Sequence, residues 1–249
     1  MEAPPRAASC DGGGAGVALA AGPAEILIAV PACNEAAVLG DVITRIRAAA
    51  PQCALLVIDD GSQDGTPEVL QRLQLASLCH AVTRGKGCCL RDALAEARRR
   101  GCGWLITLDG DGQHDPAFLP RFLEAIGCGE ADVLIGCRQG RAGQMPWPRR
   151  ISNSLSSILV SCFSGIRFHD AQCGYRAMRV DLEGLAECRE EGFQYESEVL
   201  LRLGRRRARF REIPISTCYS AAASRIRYGA DTLRFLRLLW RSLWWAKSA

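Results

Sequence analysis

Trp104-Leu105-Ile106-Thr107-Leu108-Asp109-Gly110-Asp111-Gly112-Gln113-His114 joins an apolar run to a turn built from two acids and two glycines. The run over 104–108 shows no polar–apolar alternation, so it reads as a strand covered on both faces, as the strands of a parallel sheet are. The same unit recurs on either side of it. Residues 26–30 (Ile-Leu-Ile-Ala-Val) stop at Pro31 and lead through Asn34-Glu35 into a helix over 36–49, with Val38, Leu39, Val42, Ile43 and Ile46 on one face. Residues 55–58 (Leu-Leu-Val-Ile) stop at Asp59-Asp60-Gly61, and Thr66-Pro67 then predicts a helix with Thr as N-cap and Pro at the first position. Strands over 78–83 and 132–136 and helices over 87–100 and 116–126 continue the alternation. This rhythm predicts an α/β domain with a mostly parallel central sheet flanked by helices on both faces. Ligands of such sheets bind beyond the C-terminal strand ends. The polar runs Asn34-Glu35, Asp59-Asp60 and residues 109–113, with Arg138, all fall there.

Beyond residue 136 the pattern loosens. Residues 138–148 read as a mobile loop that can cover the site. A helix near 149–163, irregular strands, a helix near 195–203, a strand over 210–215 and a final helix from about 231 complete the chain. Residues 1–24 are rich in Ala, Gly and Pro, lack an apolar core of signal-peptide length, and are expected to be disordered. The expected organisation is that lead-in, a domain over 25–230 and an amphipathic helix over 231–249. A length of 249 residues and 48% hydrophobic content suit one such domain. A net charge of +4 gives no argument for nucleic-acid binding. The 13 cysteines include no CxxC pair and no zinc-like spacing with His, and their number is odd. Cys33, Cys53, Cys88, Cys89, Cys102, Cys137 and Cys162 lie in or beside apolar runs, so free thiols in a reducing compartment are expected.

Asp109 and Asp111, at i and i+2 after a buried strand, can converge on one divalent cation, and Gln113 offers a further carbonyl oxygen. Taken alone, the turn reads equally well as a cap for a helix at Asp115-Pro116. The neighbouring segments shift that balance. Asp60, at another strand end, can accept from a nucleobase N–H, although Asp59-Asp60-Gly61 is also an ordinary turn. Pro31, Asn34 and Glu35 end the first strand, where Glu35 can accept from base or ribose or simply cap the next helix. Arg84-Gly85-Lys86-Gly87 opens a helix whose N-terminus and Lys86 side chain favour anionic oxygens, or is simply a basic turn.

Together these segments resemble the family 2 glycosyltransferases of GT-A (Rossmann-like) fold, most closely the dolichol-phosphate mannosyltransferase and polyprenyl-phosphate glycosyltransferase branch. The resemblance runs from about Ile26 to Leu239. It is most specific at residues 30–35 (Val-Pro-Ala-Cys-Asn-Glu), 59–66 (Asp-Asp-Gly-Ser-Gln-Asp-Gly-Thr), 85–87 (Gly-Lys-Gly) and 108–116. It implies a nucleotide-diphosphate-sugar donor, GDP-mannose or a UDP-sugar, held by Pro31, Glu35 and Asp60. It also implies Mg²⁺ or Mn²⁺ on Asp109, Asp111 and Gln113, with Asp109 touching ribose as well, and Arg138 near the phosphates. Arg150 and Asn153 fall where the branch grips an acceptor phosphate. Residues 170–176 (Asp-Ala-Gln-Cys-Gly-Tyr-Arg) match its D-x-x-x-G-[FY]-R stretch, and Ser224-Arg225 its Ser-Lys pair, with Arg in place of Lys. The metal motif departs from the branch's Asp-Ala-Asp-Leu, which leaves the metal chemistry intact and blurs the sugar subfamily.

The implied activity is inverting transfer of a hexose to a polyprenyl or dolichyl phosphate, whose oxygen is already anionic and needs no strong base. A hydroxyl acceptor, on a glycan or glycolipid, would need one, with Asp170 as candidate and His114 after it. The alternative from another class is a non-catalytic nucleotide- or lipid-binding subunit. A nucleotidyltransferase would carry a glycine-rich basic signature after the first strand, where this chain has Pro31-Ala32-Cys33-Asn34-Glu35. In the last helix Arg234, Arg237 and Arg241 form one basic stripe amid Leu and Trp, which suits peripheral attachment to the cytosolic face of a membrane or to a membrane-protein partner, the alternative being that the helix docks on the domain core or a partner subunit. No apolar run approaches the roughly 18–20 residues that span a bilayer.

Overall fold

The apolar runs become the strands of one sheet because each is covered on both faces. The computed structural model describes residues 26–138, 147–216 and 228–245. Its strands are β1 (Ile26–Ala32), β2 (Ala54–Asp59), β3 (Ser77–Cys79), β4 (Trp104–Thr107), β5 (Val133–Cys137), β6 (Arg176–Arg179) and β7 (Phe210–Pro214). Its helices are α1 (Leu39–Ala49), α2 (Thr66–Arg72), α3 (Lys86–Arg99), α4 (Leu119–Cys128), α5 (Trp147–Ser164), α6 (Gln194–Arg205) and α7 (Tyr228–Ser242). The sheet order is β3-β2-β1-β4-β6-β5-β7, and β6 alone runs against the other strands. Leu27, Ile28, Ala29 and Val30 of β1 have no exposed surface, as an apolar run at the sheet centre requires. The fold is thus the expected mostly parallel α/β sheet flanked by helices, and the parallel strands deliver their C-terminal ends to one edge.

Local differences from the sequence expectation have local causes. β3 is three exposed residues rather than a strand over 78–83, because it pairs only with β2 at the sheet edge and the chain then turns His80 inward. Residues 36–38 precede α1 as a turn, since the Ala36 N–H donates to Asp64 Oδ2 (3.1 Å). Thr66 is not the N-cap of α2. Gly65 holds that position, and the Thr66 hydroxyl donates to Asp64 Oδ1 (2.5 Å) while accepting from the Glu35 N–H (2.9 Å). Cys162 is exposed on α5 rather than packed in an apolar region. Residues 1–24, nearly all of the loop over 138–148, and Arg225 lie outside the described residues.

Candidate active site

Backbone and side-chain hydrogen bonds tie the strand-end loops into one floor. The Asn34 N–H donates to Ser62 Oγ (2.8 Å), and Asn34 Oδ1 accepts from the Gln63 N–H (2.7 Å). Asn34 holds a left-handed backbone (φ 52°) to make both contacts, a conformation Asn tolerates better than most residues. The Asp60 N–H donates to the Ala32 carbonyl (2.8 Å), and the Gly110 N–H to the Pro31 carbonyl (3.2 Å). The segments carrying Pro31, Asn34, Glu35, Asp60 and Asp109 are therefore physical neighbours.

Lys86, in the first turn of α3, reaches the end of β4. Its Nζ lies 2.6 Å from Asp109 Oδ1 and 3.1 Å from Glu196 Oε1 on α6. Burial opposes charge on this ammonium, but the two carboxylates outweigh burial and raise its pKa. Burial likewise pushes the Asp109 carboxyl upward, and the Lys86 charge, helped by Arg138, holds it below its ordinary value. The cradle closes on Gly174. A Cβ there would lie 2.7 Å from Lys86 Nζ, 2.9 Å from Asp109 Oδ2 and 3.0 Å from Glu196 Oε1. The Thr107 hydroxyl donates to the Gly174 carbonyl (3.1 Å) and fixes that floor. The helix N-terminus expected to favour anions is capped instead: the Gly87 and Cys88 N–H groups both donate to the Glu191 carbonyl (2.7 and 3.3 Å). Any anion preference of this corner rests on the Lys86 side chain.

Asp111 Oδ1 accepts from the Gln113 N–H (2.9 Å), which gives the turn its shape. His114 is buried, and its Nδ1 accepts from the Asp109 N–H (3.3 Å). Burial is the main cause that lowers its pKa, so it braces the turn as a neutral ring and its Nδ1 lone pair is already engaged. Asp109 keeps about a quarter of its side chain exposed (27%), and the turn presents hard carboxylate oxygens. That donor chemistry fits Mg²⁺ or Mn²⁺.

Arg138, just after β5, makes a two-pronged pair with Asp170: Nε to Oδ2 at 2.5 Å and Nη2 to Oδ1 at 2.7 Å. The Arg138 N–H adds a third contact to Oδ2 (3.2 Å). The Asp170 and His169 N–H groups donate to Glu212 Oε1 of β7 (3.2 and 2.7 Å), and the His169 ring also bonds the Glu212 carboxylate. Arg176 is 1% exposed and donates to the carbonyls of Cys173 (2.7 Å), Ala171 (2.8 Å) and Glu196 (2.7 Å). It stitches residues 170–176 to α6, which carries Glu196. Arg150 and Asn153 lie in the first half of α5.

Three participants carried weaker sequence signals. Glu196 sits where α6 buries Gln194, Ser197 and Glu198 as well, a polar run on a face that packing should make apolar. Gly174 is visible only through the motif around it. His80 lies between two acids: Nδ1 is 2.7 Å from Asp60 Oδ1, and Nε2 is 2.8 Å from Asp92 Oδ2 on α3. Asp60 also accepts from the N–H groups of Arg84 (2.8 Å) and Gly85 (2.9 Å), so its carboxylate anchors the loop that begins α3. Ligand atoms of Asp60, His80 and Cys89 lie within 4.8 Å of one another. The Cys89 thiol is pushed up, by burial first and then by Asp60, which disfavours the thiolate a soft metal requires.

Comparison with known proteins identifies relatives in sequence and fold. The sequence profile of glycosyl transferase family 2 matches residues 27–185. An undecaprenyl-phosphate mannosyltransferase of Micrococcus luteus is 31% identical over 202 residues, 77% of this chain and 82% of that protein. A polyprenol monophosphomannose synthase of Mycolicibacterium smegmatis is 34% identical over 162 residues, 61% of each chain. A dolichol-phosphate mannosyltransferase of Pyrococcus furiosus is 26% identical over 89% of this chain and 64% of its own. In fold, the chain superposes on glucosyl-3-phosphoglycerate synthase from Mycobacterium tuberculosis, crystallised with Mn²⁺, UDP and phosphoglyceric acid. The TM-score is 0.70 at 18% identity, covering 90% of this chain and 80% of that one. With a family profile matched across most of its length and a relative of this identity and coverage, the chain belongs to glycosyl transferase family 2.

Proposed function

We propose that this chain moves a hexose, with inversion, from a nucleotide-diphosphate sugar (GDP-mannose or a UDP-sugar) to a polyprenyl or dolichyl phosphate. The observation that carries the choice of acceptor is the two-pronged Arg138–Asp170 pair. A hydroxyl acceptor needs a base, and the Asp170 carboxylate is already committed to three N–H contacts from Arg138. A lipid phosphate brings its own anionic oxygen, so the protein's work is orientation and charge stabilisation. The names of the relatives support the same acceptor class.

In this reading, residues 25–230 are the catalytic domain. Pro31, Asn34, Glu35 and Asp60 frame the nucleoside. Arg138, held by Asp170, is assigned to the diphosphate, as are Lys86 and Arg225. Arg150 and Asn153 receive the acceptor phosphate, whose oxygen attacks the anomeric carbon in line as the nucleoside diphosphate departs. Mg²⁺ or Mn²⁺, held by Asp109, Asp111 and Gln113, supplies neutralisation of charge on the departing diphosphate.

Peripheral attachment to the cytosolic face of a membrane, directly or through a membrane protein, draws support from the surface. No helix among the described residues is long and apolar enough to cross a membrane. Of ten exposed large hydrophobic side chains among the described residues, six lie on α5 and α7, which pack against each other (Ile151, Leu155, Ile158, Leu233, Leu236 and Trp240), and Leu243 and Trp244 follow directly after α7. Arg234, Arg237 and Arg241 lie on the same helix, α7. Deleting α7 would also remove the buried Leu238 and Leu239, so Trp240→Glu with Trp244→Glu is the cleaner probe. That pair should abolish co-sedimentation with vesicles while leaving donor turnover in detergent intact.

The test of function is a panel of GDP- and UDP-sugars with Mn²⁺ or Mg²⁺ and a short-chain polyprenyl phosphate, read as lipid-linked sugar formed. Turnover on the lipid phosphate supports the reading. Transfer only to hydroxyl acceptors overturns its acceptor, and absence of nucleotide binding with every metal overturns the transferase.

A further inference from the structure

His80 belongs to none of the sequence motifs, yet the structure places it at a junction. Its side chain is 7% exposed, and both ring nitrogens are within hydrogen-bond distance of carboxylates. A neutral imidazole has one N–H to give. Two carboxylate acceptors are both satisfied only when the ring carries two N–H donors and a positive charge. The Asp60 carboxylate on one side also receives the Arg84 and Gly85 N–H groups, which set the entry to α3. Gly85 has φ 101° there, and an added Cβ would lie 2.5 Å from the Glu191 carbonyl, so this entry tolerates little displacement. The next residue is Lys86, 2.6 Å from Asp109.

We infer that His80 is a positioning residue for the donor site: held between Asp60 and Asp92, it fixes the Asp60 carboxylate against residues 84–85 and so sets where Lys86 meets Asp109. This rests on the proposed reading that Asp60, Lys86 and Asp109 belong to the donor site. The charged groups facing the ring among the described residues are Asp60 from the β2 end, Asp92 from α3, and Arg84, whose Nη1 lies 3.6 Å from Asp92. The Cys89 thiol beside Asp60 stays neutral. Burial opposes the charge on His80, but hydrogen bonds and charge from Asp60 and Asp92 outweigh it and raise its pKa above 6.5. Losing the ring proton would remove one of its two donors and leave a carboxylate lone pair facing a ring lone pair.

The experiment uses the full chain with His80→Gln, which cannot carry charge, and Asp92→Asn, which keeps an acceptor but removes one flanking charge and leaves Asp60 untouched. Binding of GDP and UDP in the presence of Mn²⁺ is measured across pH, with NMR titration of the His80 ring and amide exchange of residues 84–87 in nucleotide-free protein. In the wild type, affinity should fall about tenfold as the ring deprotonates above pH 6.5. Asp92→Asn should move that midpoint down by about one pH unit. His80→Gln should bind about tenfold more weakly at pH 6 and lose the wild-type step. Amide protection of 84–87 should fall in step with the ring titration. The inference is overturned if His80→Gln keeps the wild-type pH profile, or if exchange at 84–87 ignores the state of the ring. The exchange arm needs no nucleotide. If neither nucleotide binds but exchange tracks the ring, the proposed function fails while the latch stands.

Discussion

Gly174→Ala is a one-carbon perturbation aimed at the point where three charged groups converge. Gly174 lacks the left-handed backbone that would exclude alanine, so the added methyl acts through space alone. Its carbon would stand 2.7 Å from Lys86 Nζ, 2.9 Å from Asp109 Oδ2 and 3.0 Å from Glu196 Oε1. Ordinary contact at about 3.5 Å requires each atom to retreat by roughly 0.5–1 Å. The Lys86–Asp109 and Lys86–Glu196 distances of 2.6 and 3.1 Å cannot both survive that retreat. The displaced atoms are side-chain ends, so the stability cost should be that of modest overpacking, about 1–3 kcal/mol. In a chain of this size that lowers the melting temperature by less than about 10 °C. A misplacement near 1 Å at a reacting centre costs about 100-fold in rate. The variant should therefore be folded, slightly less stable and about 100-fold slower in sugar transfer. Gly127→Ala in α4, where a Cβ meets nothing within 4 Å, serves as control and should gain about 0.5–1 kcal/mol with turnover unchanged. The reasoning is refuted if Gly174→Ala turns over within twofold of wild type, or if its activity loss is accounted for by its unfolded fraction.

Asp170→Asn should destabilise the fold by about 3 kcal/mol in urea titrations, because it leaves the largely buried Arg138 short of its charged partner. A base role for Asp170 would instead lower turnover with stability intact. Arg176→Lys should cost about 3 kcal/mol, since one ammonium cannot reach three carbonyls spread over residues 171–196. Stability should also respond to the His80–Asp60 pair. His80 has a raised pKa when folded, so its contribution is complete below 6.5 and is lost as pH rises through the folded value. Despite the opposing effect of burial, Asp60 is lowered by its N–H donors and His80, so its contribution is present above 3.8 and is lost as pH falls through the folded value. Thermal melts across pH should show the high-pH loss in wild type and not in His80→Gln.

The sequence made β1, β2, β4 and β5 legible because strands buried on both faces must be apolar throughout. β3 was overextended because an exposed edge strand has no such constraint, and beyond Cys79 the chain turns inward through the polar contact of His80 with Asp60. β6 gave no alternation to read: it is four residues with Arg176 at one end, buried, and Arg179 at the other. It enters the sheet between β4 and β5 although α5 separates it from both in sequence. The same limit governs the site. Asp109, Lys86, Arg138 and Asp170 were each visible as residues. Which cation meets which acid was not, because Lys86–Glu196 and Arg138–Asp170 are made by packing between distant elements. Asp170 was a candidate base for a hydroxyl acceptor, whereas its geometry is that of an arginine's partner.

The charges so paired bear on how a donor and a cation would enter. Around the turn, Asp109 and Glu196 share one ammonium, Lys86, and Asp111 adds a third carboxylate, which leaves two negative charges, while Arg138 is paired with Asp170. His114 is neutral and adds nothing. A diphosphate approaching this corner alone meets like charge in a partly desolvated setting, where repulsion is screened less than in water. A divalent cation alone is drawn to the acids but competes with Lys86 for Asp109. Bound together, the cation offsets the two excess charges and leaves Lys86 and Arg138 to face the phosphates. UDP or GDP and Mn²⁺ should therefore bind with positive coupling of about 10- to 100-fold, and the coupling must be the same measured from either side. Calorimetric titration of nucleotide at several Mn²⁺ concentrations, and of Mn²⁺ at several nucleotide concentrations, measures both. Asp111→Asn should reduce the coupling more than it reduces nucleotide affinity without metal. Nucleotide affinity that is unchanged between EDTA and saturating Mn²⁺ would mean that the acids of this turn are balanced by groups other than a cation.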